Sequence, residues 1–154
     1  MSSKIEARLS ELGITLPEAS APAANYVPFV KTGNQLFVSG QIPMVDGKIQ
    51  HVGKLGDDFR VDEGKAAAKQ CAINLLAQAK AATGDLDKVA RLVKIVGFVN
   101  STGDFTEQPV VINGASDFLV EAMGDKGRHA RSAVSAASLP FGVAVEVEAI
   151  FEIA

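Results

Sequence analysis

Apolar positions along this chain recur with two periods, and the switches between them mark out its elements. Ile5, Leu9 and Leu12 follow i, i+4, i+7 spacing, one face of a 3.6-residue helix. Ser3, three residues before Glu6, gives that helix capping-box spacing, and Gly13 is placed to end it. Leu16 to Ala24 is a Pro/Ala/Ser stretch that reads as an extended lead-in. Val27–Thr32 and Gln35–Ser39 are β-rich runs around Gly33-Asn34 and predict a hairpin within Val27 to Pro43, with Pro28 at an edge. Gly47, Gly53 and Gly56 mark turns around a short strand at Ile49–Val52. The strongest helical pattern runs from Asp62, a candidate N-cap, to Ala82, with Gly84 placed to terminate it. Ala68, Cys71, Leu75, Ala79 and Ala82 share its stripe, and side chains so small predict a close neighbour.

Val89 to Val99 reads as a strand buried on both faces, with Val93, Ile95 and Val99 on one side and Leu92, Lys94 and Val96 on the other. A second helix spans Gln108 to Met123, with Val111, Ala115, Phe118 and Ala122 on one face, and Gly124 to Gly127 ends it. Arg131 to Ser138 is a Ser/Ala-rich strand of low propensity. Val143 to Ile153 alternates most cleanly: its odd positions are all apolar, while Glu146, Glu148, Ile150 and Glu152 lie opposite.

This order predicts an α+β fold, a single sheet with both long helices on one face. The mixed face of the last strand suits a subunit interface holding a polar pocket. With 154 residues, 47% of them hydrophobic and 21% charged, the chain reads as one domain over 1–154, of which 1–20 is a helical extension and lead-in. A net charge of −3 without a basic stripe argues against nucleic acid. One Cys forms no internal disulfide, and with two His it builds no Cys/His zinc site, so no metal is expected. The sequence shows no targeting segment and no apolar run of about 18 residues, which predicts a cytoplasmic protein without membrane contact.

Dinucleotide and P-loop motifs are absent. Cys71 reads as a core filler, Ser39 as a strand-end serine, and His51 as a solvated loop histidine. His129, between Arg128 and Arg131, is a weak candidate base. Arg131 heads a strand of small residues and needs an anion, either a carboxylate of the last strand or the carboxylate of a substrate. Glu146 either positions a water or serves as an interface glutamate.

Four segments, taken together, resemble the reactive-intermediate deaminase (Rid, YjgF-type) family: Val38-Ser39-Gly40-Gln41-Ile42-Pro43, Val93 to Val99, Arg131-Ser132-Ala133-Val134, and Leu139-Pro140 leading to Val145–Ile150. The match runs from about Ala21 to Ile153, and Arg131 to Ile150 is its most specific part. The resemblance implies a chorismate-mutase-like fold and a homotrimer with a central barrel and pockets between subunits. It also implies cofactor-free hydrolysis of amino-acid-derived enamines and imines, such as 2-aminoacrylate and 2-iminobutanoate, to 2-oxo acids and ammonia. By the same correspondence Arg131 binds the substrate carboxylate, Glu146 orients water, and Tyr26 and Asn113 line the pocket. The alternative use of the same cleft is non-catalytic binding of small carboxylates. The chain departs from the family pattern around Asn25-Tyr26-Val27-Pro28-Phe29, at Ala133, in the added segment Phe105–Pro109, and in the N-terminal helix, features of a longer branch.

Overall fold

Five strands make the main sheet of the computed structural model, which describes residues 3–21 and 24–154, so Pro22 and Ala23 of the lead-in lie outside the described residues. In chain order the elements are α1 (Lys4–Glu11), β1 (Phe29–Thr32), β2 (Gln35–Gln41), β3 (Met44–Val45), β4 (Lys48–Ile49), α2 (Val61–Thr83), β5 (Val89–Asn100), α3 (Gln108–Met123), β6 (Ala130–Ala136) and β7 (Val145–Ile153). The sheet order is β1-β2-β7-β5-β6. β6 runs parallel to β5, reached through α3, and the other pairs are antiparallel. β3 and β4 form a separate small hairpin.

The helices lie where the alternation predicts. Val145, Val147, Ala149 and Phe151 of β7 are buried beneath them, together with Leu36, Ile95, Leu75, Leu76, Ile112 and Leu119. The small residues of α2 do meet a close neighbour, α3. A Cβ on Gly114 would sit 2.1 Å from the Lys65 carbonyl oxygen, and one on Gly64 would press on Leu55 and Val111. α1 docks on this layer from outside: Ser3 Oγ accepts from the Glu6 amide at 2.9 Å, Lys80 pairs with Glu6, and Arg8 Nε donates to the Glu121 carbonyl.

Several boundaries and one register differ from expectation. α2 begins at Val61, with Arg60 as N-cap, and Asp62 falls in the first turn. There a carboxylate favours the helix dipole just as well. The strand expected at Ile49–Val52 is split: Lys48–Ile49 pairs with Met44–Val45, whereas Val52 makes an isolated bridge to Val143. β7 accordingly starts at Val145, two residues later than expected. In β5 a register irregularity between Leu92 and Lys94 turns Leu92 and Ile95 inward alike, and Val93 points out. A bulge of this kind breaks the period of two that placed Val93 with Ile95.

The sheet face away from the helices is uncovered and mixed: exposed apolar side chains share a groove there with Lys94 and Glu148. Val30 and Phe37 are 51% and 40% exposed, and Val134 on β6 is 44% exposed. No helix among the described residues is long and apolar enough to cross a membrane.

Candidate functional site

Strand β7 turns Glu146 away from the buried row of Val145 and Val147, towards a cavity of about 220 Å³. That volume is below the usual range for drug-sized ligands and fits a small metabolite. Tyr26, Ser39, Gly40, Phe141, Gln78 and Glu146 are among its lining residues. A Cβ on Gly40 would stand 2.8 Å from the Glu146 carboxyl carbon, so glycine at this strand position lets the carboxylate lie against the backbone of β2. Phe141 guards the mouth with φ at 60° and 67% of its surface exposed. Such a backbone is rare for an aromatic residue and concentrates at functional positions.

Burial raises the pKa of Glu146 above the ordinary value near 4.5, and repulsion from Glu148 on the same strand adds to the rise. The native state therefore holds this proton more tightly than the unfolded chain. Its contribution to stability falls as pH climbs from the ordinary carboxylate range through the raised value. We expect Glu146→Gln to gain stability relative to wild type across that window, with the two melting curves converging at acid pH. Thermal melts at stepped pH measure this, and a constant difference at every pH would contradict it.

The lead-in forms one wall of the cavity through Ser20 and Ala21. Gln78, 1% exposed, donates from Nε2 to the Ser20 carbonyl at 2.9 Å. Its Oε1 is buried without a partner among the described residues. The N-terminal extension thus reaches the cavity, and Gln78 fastens it there.

Arg131 and Asn113 lie elsewhere on the chain. Arg131 pairs with Ile95 across the β5–β6 ladder, whereas Glu146 pairs with Phe98 on the other side of β5. Two strand spacings and three residues of rise put their backbones on the order of 14 Å apart. Their side chains also leave the sheet differently. Arg131 turns to α3, where Nη1 donates to Ser116 Oγ at 3.2 Å and Nη2 to the Pro109 carbonyl at 3.1 Å. Asn113, one turn from each, shares that side of α3. Arg131 has no carboxylate partner among the described residues, so the expected alternative of a salt bridge to β7 is not realised.

The remaining candidates are resolved by burial. Cys71 is fully buried, its Sγ 3.6 Å from the Val145 carbonyl oxygen, and desolvation pushes its thiol pKa well up, as befits a core filler. His51 is not the freely solvated side chain expected of a loop. It takes φ of 53°, meets Phe59 edge-on, and has Nδ1 buried without a partner among the described residues. No group of metal-ligating side chains occurs among the described residues. Gly40, Gln78 and Ser116 were not visible as site residues in the sequence. Only a glycine inside a strand, and a serine at i+3 from Asn113, hinted at two of them.

Residues 6–152 match the YjgF/chorismate mutase-like family, which carries an endoribonuclease label. Protein TCP17 of Trypanosoma cruzi is 52% identical over 99% of this chain and 96% of its own. A crystal structure of an Agrobacterium tumefaciens protein of unknown function is 54% identical, with a TM-score of 0.92 over 97% of this chain and 92% of that one. At greater distance, Escherichia coli TdcF with bound serine is 27% identical, with a TM-score of 0.65 over 89% of this chain and 94% of that one. RidA of the Antarctic bacterium Psychrobacter sp. PAMC 21119 is 29% identical, with a TM-score of 0.61 over 88% and 94%. The chain belongs to the YjgF/RidA family and has its chorismate-mutase-like fold.

Proposed function

We propose that this protein hydrolyses amino-acid-derived enamines and imines to 2-oxo acids and ammonia without a cofactor, in clefts between the copies of a homotrimer. The observation that carries the reading is the state of Arg131. Its guanidinium is held by two neutral acceptors and meets no carboxylate among the described residues, so its charge is left for an anion. Within one chain it is remote from Glu146. A second copy laid on the uncovered sheet face would bring the Arg131–Asn113 edge of one chain to the Tyr26–Glu146 cavity of another. The same contact would cover Val30, Phe37 and Val134, an apolar surface that a monomer pays to expose. The serine bound in TdcF, an amino acid with a free carboxylate, is consistent with such a ligand.

In this arrangement Arg131 clamps the substrate carboxylate and fixes the imine carbon near Glu146. Glu146, with its raised pKa, takes a proton from water as the oxygen adds to that carbon. It returns that proton to nitrogen, and as the C–N bond breaks and its electron pair leaves with ammonia, the hydroxyl proton of the carbinolamine passes to the Glu146 carboxylate and on to solvent, leaving the 2-oxo acid. Positioning and electrostatics carry the rate, because a protonated imine is already electrophilic. The endoribonuclease label finds little support in a chain of net charge −3.

The test is ammonia release from freshly generated 2-iminobutanoate, with light scattering for the assembly. Acceleration by a particle of three chain masses is expected. Calorimetric binding of 2-oxobutanoate without turnover would favour the carboxylate-binding alternative, and a monomer with full activity would overturn the shared cleft. Gly40→Ala gives an internal check. The added methyl would displace the Glu146 carboxylate, and kcat should fall on the order of tenfold or more while KM, set by Arg131, stays within about twofold.

A further inference from the structure

We infer that Ser116 and His129 form a directional brace that presets the Arg131 guanidinium, which makes both of them positioning residues for the substrate carboxylate. The inference rests on the reading of Arg131 as the carboxylate clamp. His129 Nδ1 lies 2.5 Å from the Gly127 carbonyl oxygen. A carbonyl only accepts, so Nδ1 carries a proton, and in the neutral form of the ring, the one the brace requires, Nε2 presents a lone pair. That lone pair faces Ser116 Oγ at 2.9 Å. The serine's single hydroxyl proton is thereby directed to His129. Its oxygen is left to accept from Arg131 Nη1, at 3.2 Å.

Each link has one direction. Turning the hydroxyl round would leave Nε2 without a donor and set the O–H against an N–H of Arg131. The chain begins at a buried glycine, Gly127, and ends on the guanidinium, whose other amino group is held by the Pro109 carbonyl. Of the five N–H donors of an arginine, the brace and Pro109 use one on each terminal nitrogen. Three donors remain, one on each nitrogen of the planar guanidinium, to meet the oxygens of a carboxylate. The two groups that touch the guanidinium, the Ser116 hydroxyl and the Pro109 carbonyl, carry no charge, so they fix the orientation without consuming the charge of Arg131. Arginine loses much rotamer freedom when it binds a ligand, and restraint beforehand removes that cost from binding.

The experiment compares full-length wild type, Ser116→Thr, Ser116→Val, His129→Ala and Arg131→Ala in 2-iminobutanoate turnover. Thr and Val have the same shape and differ in the hydroxyl, so packing is held constant between them. Ser116→Thr should keep the wild-type KM. Ser116→Val and His129→Ala should raise KM about tenfold, with kcat within about twofold, because one charge-assisted hydrogen bond is lost. The double variant Ser116→Val/His129→Ala should be no worse than Ser116→Val alone, since both break one chain. Equal KM for Ser116→Thr and Ser116→Val would overturn the brace while Arg131→Ala, if inactive, upheld the clamp. Full activity in Arg131→Ala would overturn both. Should turnover be absent in wild type, calorimetric Kd for 2-oxobutanoate across the same variants reads the same ratios.

Discussion

Arg131→Ala is expected to lower kcat/KM for 2-iminobutanoate by about a hundredfold to a thousandfold while leaving the fold intact. The guanidinium would offer a substrate carboxylate two charge-assisted hydrogen bonds, each worth about 1.5–3 kcal/mol. At the lower end of that scale their joint loss, about 3–4 kcal/mol, corresponds to that range at tenfold per 1.4 kcal/mol. Stability should hardly change. Arg131 lies on an edge strand, is only partly buried, and pairs with no carboxylate among the described residues, so its removal strands no charge in the core. Arg131→Lys should recover part of the loss only, because an ammonium keeps the charge but not the planar fork. Steady-state ammonia release and a thermal melt on the same samples measure both halves of the expectation. An alanine variant within twofold of wild type would remove Arg131 from the mechanism.

The largest effect on stability is expected at Gly114. Its missing side chain is what lets α3 lie against α2: a methyl there would meet the Lys65 carbonyl oxygen at 2.1 Å and the Lys65 Cα at 2.7 Å. The obstacle is backbone, so no side chain can swing aside, and the two helices must separate. The layer that would open holds Ala68, Ala72 and Ala115, all fully buried. Overpacking of this kind costs about 3 kcal/mol or more. For a chain of this length that lowers Tm by on the order of 10 °C. Gly103→Ala is the matched control, because a Cβ there meets nothing within 4 Å and its φ is not positive. It should melt with wild type. A Gly114→Ala variant that also did so would show that the helices yield more readily than close packing allows.

What was legible before the structure came from local periodicity. α3 begins and ends at Gln108 and Met123, as its apolar face and the glycines behind it predict. The alternation of β7 correctly buried Val145, Val147, Ala149 and Phe151, and left Glu146 on the other side. The β5 register was not legible, since the irregularity between Leu92 and Lys94 depends on pairing with β7, a partner more than fifty residues away. His51 was misjudged for a related reason. A loop histidine is solvated unless the loop folds back, and this one is packed edge-on against Phe59.

The residues of the candidate site were legible one at a time, as an arginine among small residues and a glutamate in a strand. Their grouping was not. Tertiary structure alone places Glu146 with Tyr26 in one cavity, sets Arg131 and the Asn113 side of α3 on a different part of the chain, and links Ser116 to His129. Sequence by itself determined which of the long segments are helix or strand and, β5 apart, which face each one buries, because those depend on neighbours three or four positions away in a helix and two in a strand. The structure decided which charges remain unpaired and which glycines carry a helix crossing or a close approach. Those depend on contacts between segments far apart in the chain, and local pattern does not encode them.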